Sequence, residues 1–213
     1  MTTVQTTQLS TTELSSVIQA FEHEGASVRA SLRSLLQDKE SIAAALLLSL
    51  SFLKGQALDR VTIEKLSRVE PAQFNQNLID FQISCLIADG GTMTMGVAVL
   101  QERNSQEVCQ LLNRLLVYKD FGLNRLCILR SAELIEDTPE IQNYLPRLLS
   151  PEIGGSFVDL QVGAITTLLT VLYVFRGRRK YLINVPHIVQ YLEQENMLRR
   201  NPILRDLMVT AQM

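Results

Sequence analysis

Gln82 to Leu100 reads QISCLIADGGTMTMGVAVL, and this stretch decides the fold class. Two β-rich runs, Gln82 to Ala88 and Met93 to Leu100, flank the tetrapeptide Asp89-Gly90-Gly91-Thr92. Short apolar, β-branched runs form strands, and a glycine-bearing joint between them sets up a hairpin. Most of the chain on either side keeps a helical period instead. The expected fold is α+β and predominantly helical, with N-terminal helices, a small central α-β-β-α-β layer and C-terminal helices.

Working outward, Asn104 and Glu107 have the spacing of a capping box. The helix they open places Val108, Leu111, Leu112, Leu115 and Leu116 on one face. Gly122 ends that unit, and Arg125 to Arg130 (RLCILR) reads as a third strand. A strand reached through a crossover helix is predicted to lie parallel to one member of the hairpin. On the N-terminal side, Asp59 is placed to cap a short helix carrying Val61, Leu66 and Val69, and Pro71 to open another running to about Phe81. Their spacing suggests a helix–turn–helix, with the hairpin as the wing of a DNA reader. The alternative is two packed helices leading into the sheet. Arg60, Lys65 and Arg68 are few for a DNA surface, and Glu64 and Glu70 offset two of them.

Residues 1–9 are polar and rich in threonine and glutamine, which predicts a disordered tail with no secretion signal. Ser10 and Glu13 predict a helix from about Thr11 to Glu24, which Gly25 interrupts. A second segment carries Val28, Leu32, Leu35 and Leu36. A third, from about Lys39 to Leu53, is apolar nearly all round between Ala43 and Leu50, as a central helix would be. In the last third, Pro139 starts a helix that Pro146 kinks or ends. The stretch Pro151 to Ser156 is the best linker candidate. An apolar helix from Val162 to Phe175 follows, too short for a membrane span of about 20 residues. Asn184 is expected to cap a helix to about Leu198, and Asn201-Pro202 to begin a last one. The regions are thus 1–9 (disordered tail), 10–70 (N-terminal helical), 71–150 (central α/β) and 151–213 (C-terminal helical).

The chain has 213 residues, 46% hydrophobic and 20% charged, with no tryptophan and a net charge of −2. These values are those of a globular protein and give no general grip on nucleic acid. Cys85, Cys109 and Cys127 sit apart in apolar stretches, as buried thiols of a reducing, cytoplasmic compartment would.

The α-β-β-α-β order at 72–130 resembles part of the restriction-endonuclease-like core. The resemblance implies an acidic residue and a Glu-x-Lys pair on adjacent strands holding Mg²⁺, with the lysine positioning the attacking water. Here the second strand reads Gly96-Val97-Ala98-Val99-Leu100-Gln101, with Ala98 and Leu100 where Glu and Lys would stand. Asp80 and Asp89 are available but have no partner on that strand. On this resemblance the chain is a degenerate nuclease fold kept for binding. The alternative is a small α/β layer without that ancestry.

Catalytic motifs do not assemble elsewhere. Gly90-Gly91 lacks the lysine of a phosphate loop and leads into a strand. His23 sits between Glu22 and Glu24, and His187 follows Pro186, neither beside a nucleophile elbow. Glu133, Glu136, Asp137 and Glu140 suit a helix N-terminus on dipole grounds. No catalytic residue, metal or cofactor is expected. The strongest surface signal is Arg176-Gly177-Arg178-Arg179-Lys180, reinforced by Arg199 and Arg200. The helix dipole accounts for one or two cations there, and the excess suits phosphate or an acidic partner. The expectation is a non-enzymatic interaction or assembly subunit that docks on protein partners, or on itself, through apolar helix faces. The alternative is a nucleic-acid-binding accessory protein using Arg176, Arg178, Arg179, Lys180, Arg199 and Arg200.

Overall fold

The computed structural model describes residues 11–58, 60–69, 75–102, 104–131 and 139–210. The expected tail at 1–9 and the expected helix start at Pro71 lie outside them. Eight α-helices and six strands are present among the described residues. They run α1 (Thr11–Ala30), α2 (Leu32–Leu35), α3 (Lys39–Phe52), β1 (Ala57–Leu58), β2 (Val61–Ser67), β3 (Phe81–Ile87), β4 (Thr92–Val99), α4 (Ser105–Leu115), β5 (Arg125–Arg130), α5 (Pro139–Leu148), β6 (Gly155–Asp159), α6 (Val162–Gly177), α7 (Val185–Gln194) and α8 (Pro202–Thr210). The mixed α+β class follows.

The strands form one sheet in the order β1 to β6. Its first four are antiparallel, and β5 and β6 join in parallel. The hairpin forms as read, with Phe81 opposite Val97 and Leu86 opposite Thr92. Gly90 takes φ +88°, which its turn requires and a side chain would disfavour. Strand β5 lies parallel to β4, as the crossover helix α4 demands.

Alternation along β4 sends side chains to two cores. Met93, Met95, Val97 and Val99 join a cluster with residues of α1, α3, α6, α7 and α8. Ala98 and Leu100 join a second cluster with Val108, Leu112 and Leu115 of α4 and Ile141 of α5. Helix α6 packs against both α1 and α3. Its Thr166, Thr167 and Thr170 donate their hydroxyls to Val162 O, Gly163 O and Thr166 O, so polar groups do not interrupt this apolar helix. Helix caps at Asp38, Asn104 and Asn184 each accept a backbone N–H, from Ser41, Gln106 and His187.

Several sequence expectations are corrected. Val61–Ser67 is a strand, not a helix, and residues 76–80 are turn, so the helix–turn–helix and its winged-helix reading fall. The sheet is correspondingly larger than the expected three-strand layer. Gly25 lies inside α1, which runs on to Ala30, and faces Thr170 of α6 with ordinary van der Waals room for a Cβ. Pro146 is held within α5, which continues to Leu148. The stretch read as a linker ends in the first two residues of β6: a Cβ on Gly155 would stand 2.6 Å from Leu148 O, so glycine is needed for α5 to close onto the strand. Helix α7 stops at Gln194, four residues short of expectation.

Candidate functional site

Two polar regions stand out from the cores. The first lies at the end of the β3–β4 hairpin remote from its turn. Asp80 Oδ2 accepts the Val99 N–H at 2.8 Å, and Asp80 Oδ1 faces Lys39 Nζ at 3.5 Å. Lys39, in the first turn of α3, also donates to Asn77 O at 3.0 Å. Gln101 donates through Nε2 to Leu36 O at 2.6 Å and to Ser131 Oγ at 3.1 Å, while its Oε1 accepts the Ser131 N–H. Arg130 donates to Leu100 O and Glu102 O. These bonds tie the start of α3 to the ends of β3, β4 and β5.

Burial pushes the Asp80 carboxyl up to about 6, against the pull of Lys39 and of the Val99 N–H, and the charge of Glu102 adds to the rise. One Glu102 oxygen, Oε2, is buried without a hydrogen-bond partner among the described residues. A divalent cation here would need Asp80 ionised, which its burial opposes. Ala98 and Leu100 are fully buried in the second core and supply no ligand. Asp89 is remote: it sits in the turn, where its Oδ1 accepts the Gly91 N–H. Among the described residues no group of three or more histidine, cysteine or acidic side chains could hold a metal. Glu133, Glu136 and Asp137 lie outside the described residues. The thiols of Cys85 and Cys127 are buried, which raises them to about 11 and about 12 and keeps them protonated. His187 is paired with Glu13, its Nε2 3.3 Å from Oε1.

The second region is the loop between α6 and α7. Arg178 is half-buried: its guanidinium donates to Phe175 O at 2.8 Å and sits 4.6 Å over the Phe175 ring. The Tyr181 hydroxyl donates to Glu24 Oε1 at 2.6 Å and meets His23 Nδ1 at 2.8 Å. Lys180 donates to that hydroxyl and lies 3.7 Å from Glu24. Backbone N–H groups of Lys180, Leu182 and Ile183 bond to Gly177 O, Arg179 O and Arg178 O. The loop is thus pinned to α1, with Arg179 exposed on it and Arg176 exposed in the last turn of α6.

The six cations named from sequence do not form one patch. Arg176, Arg178, Arg179 and Lys180 gather at the C-terminal end of α6. Arg200 lies beside Gly163, Ala164 and Thr167 at the other end, with roughly 20 Å of helix between. Arg199 turns to Gln56 Oε1 at 2.9 Å and Ala57 O at 3.3 Å. Sequence reading missed Lys39, Tyr181 and Leu182. Lys39 could have been sought as the cation beside a buried Asp80, but nothing local marks it. None of the known family models matches the chain, and comparison with curated proteins found no match.

Proposed function

We propose that this chain is a non-enzymatic interaction subunit. The observation that carries the reading is the inward bonding of Asp80, Lys39 and Gln101. The sheet end where a nuclease-like core would hold its metal is used here to fasten α3 to three strands. The antiparallel β3–β4 pair and the parallel β5 keep the part of the order on which the nuclease resemblance rests, which supports a core retained as a scaffold. The faces at Ala43–Leu50 and Ala164–Phe175 are largely buried within the chain, α3 against α6, so docking falls to other surfaces. Affinity purification from the native host, with copurifying protein and nucleic acid both identified, tests the reading. A stoichiometric protein partner or a defined oligomer is expected. Metal-dependent hydrolysis of nucleic acid, abolished by Asp80→Asn, would contradict it.

The second reading is nucleic-acid binding by the loop after α6. It is favoured by Arg176 and Arg179, two exposed guanidinium groups without an ion pair among the described residues. Phosphate contacts of this kind weaken steeply with salt. Binding that persists at high salt, or survives Arg176→Ala with Arg179→Ala, would remove it.

A further inference from the structure

Leu182 is the most exposed large apolar residue described, at 92%. It also holds φ +56°, a left-handed conformation that a branched side chain adopts at a cost. Asparagine or glycine would serve the turn without either penalty, so an observed outlier of this kind points to a use for the side chain. The loop is rigidly presented: Tyr181 on one side is bonded to Glu24, and Ile183 on the other is buried. Little ordering remains to be done when such a side chain docks.

A groove lined by both apolar and polar residues lies on the same chain. It has a volume of about 280 Å³ and is floored by Phe52, Leu53, Val189, Leu192 and Leu198, between the C-terminal end of α3 and the C-terminal half of α7. At this volume the groove has room for a whole aliphatic side chain. Glu193, which accepts a hydrogen bond from Gln56 Nε2 at 3.4 Å, stands on its rim and Glu195 directly follows the end of α7, both exposed and neither in an ion pair among the described residues. The rim's cation, Arg199, is turned to Gln56 and Ala57. Leu182 precedes α7 and the groove lies at its far end, with roughly 15 Å of helix between them. A molecule therefore cannot fill its own groove with its own leucine.

The geometry points to self-association in which Leu182 of one copy enters the α3–α7 groove of a second copy, with Arg179 facing the carboxylates of Glu193 and Glu195. This rests on the interaction-subunit reading and names its partner as the same chain. The contact joins unlike surfaces, so it propagates head-to-tail unless two copies reciprocate it about a two-fold axis.

Sedimentation equilibrium of the full chain over a concentration series tests this, on wild type, Leu182→Asp, Val189→Phe and an equimolar mixture of the two variants. Glu193→Arg, at an exposed site, serves as a second groove variant, and circular dichroism confirms folding of each. The wild-type average mass is expected to rise with concentration. Leu182→Asp should weaken association at least tenfold, and Glu193→Arg should weaken it in a salt-dependent way. The mixture retains one intact leucine and one intact groove per pair, so it should stop at the mass of a heterodimer. A wild type monomeric throughout, a Leu182→Asp protein that associates as wild type does, or a mixture that forms no heterodimer would each overturn the proposal. A monomer that still captures a distinct protein would leave the interaction reading standing and remove this one alone.

Discussion

The sheet end around Asp80 and the loop around Leu182 use polar chemistry in opposite ways. At the first, a carboxylate, an ammonium group and a primary amide are turned inward and bonded to backbone. At the second, the bonds of Tyr181 and Arg178 serve to hold a loop whose apolar tip and Arg179 guanidinium face solvent. Buried polar groups must be satisfied, and once satisfied they specify a unique packing. Exposed apolar and charged groups that are rigidly held have no such structural duty. The contrast is what the proposed recognition role of the second region rests on.

Titration of Asp80 gives the largest effect that bears on this contrast. Its carboxyl is raised from the ordinary 3.8 to about 6, so between these values the folded protein keeps a proton that the unfolded chain has released. Stability therefore falls as pH rises through this window, by up to about 3 kcal/mol from this group, and levels off above it. Urea unfolding of wild type and Asp80→Asn from pH 4 to pH 7 measures it: the variant should lose this decline. Equal pH profiles would mean that Asp80 is not held in the buried site described.

Next in size is Gln101→Leu, which leaves Leu36 O and the Ser131 N–H without their partner. A loss of about 2 kcal/mol is expected in denaturant unfolding, since buried groups left unsatisfied cost about 1–3 kcal/mol. A neutral result would show that water replaces the amide and that this end is open. The smallest effect has the opposite sign. Leu182→Asn should stabilise the monomer by a few tenths of a kcal/mol up to about 1 kcal/mol, because asparagine tolerates the left-handed backbone and exposes no apolar surface. Destabilisation on thermal unfolding would mean that the leucine packs within its own chain.

The hairpin was legible because alternation, β-branching and a glycine turn agree over Phe81 to Val99. Its neighbour β2 was not. The bulge between Ile63 and Lys65 breaks alternation, and what remains of Val61, Leu66 and Val69 mimics a helical stripe. Strand β6 is five residues long and begins with glycine, so its identity comes from pairing with β5 and from the approach of Leu148. The basic cluster was visible as composition, whereas its separation from Arg199 and Arg200 depends on the path of α6 and α7. The Lys39–Asp80 pair and the Gln101–Leu36 bond join residues far apart in sequence, with no local pattern to announce them. Leu182 looked ordinary because neither its backbone angle nor its exposure is written in residue type.

Manganese binding at the Asp80 end tests most directly whether this region is architecture. Thermal unfolding of the full chain at neutral pH, with millimolar Mn²⁺ and then with chelator, should leave the midpoint of wild type unmoved, as it should that of Asp80→Asn. A midpoint raised by Mn²⁺ in wild type and unmoved in Asp80→Asn would place a working metal site there and contradict the account.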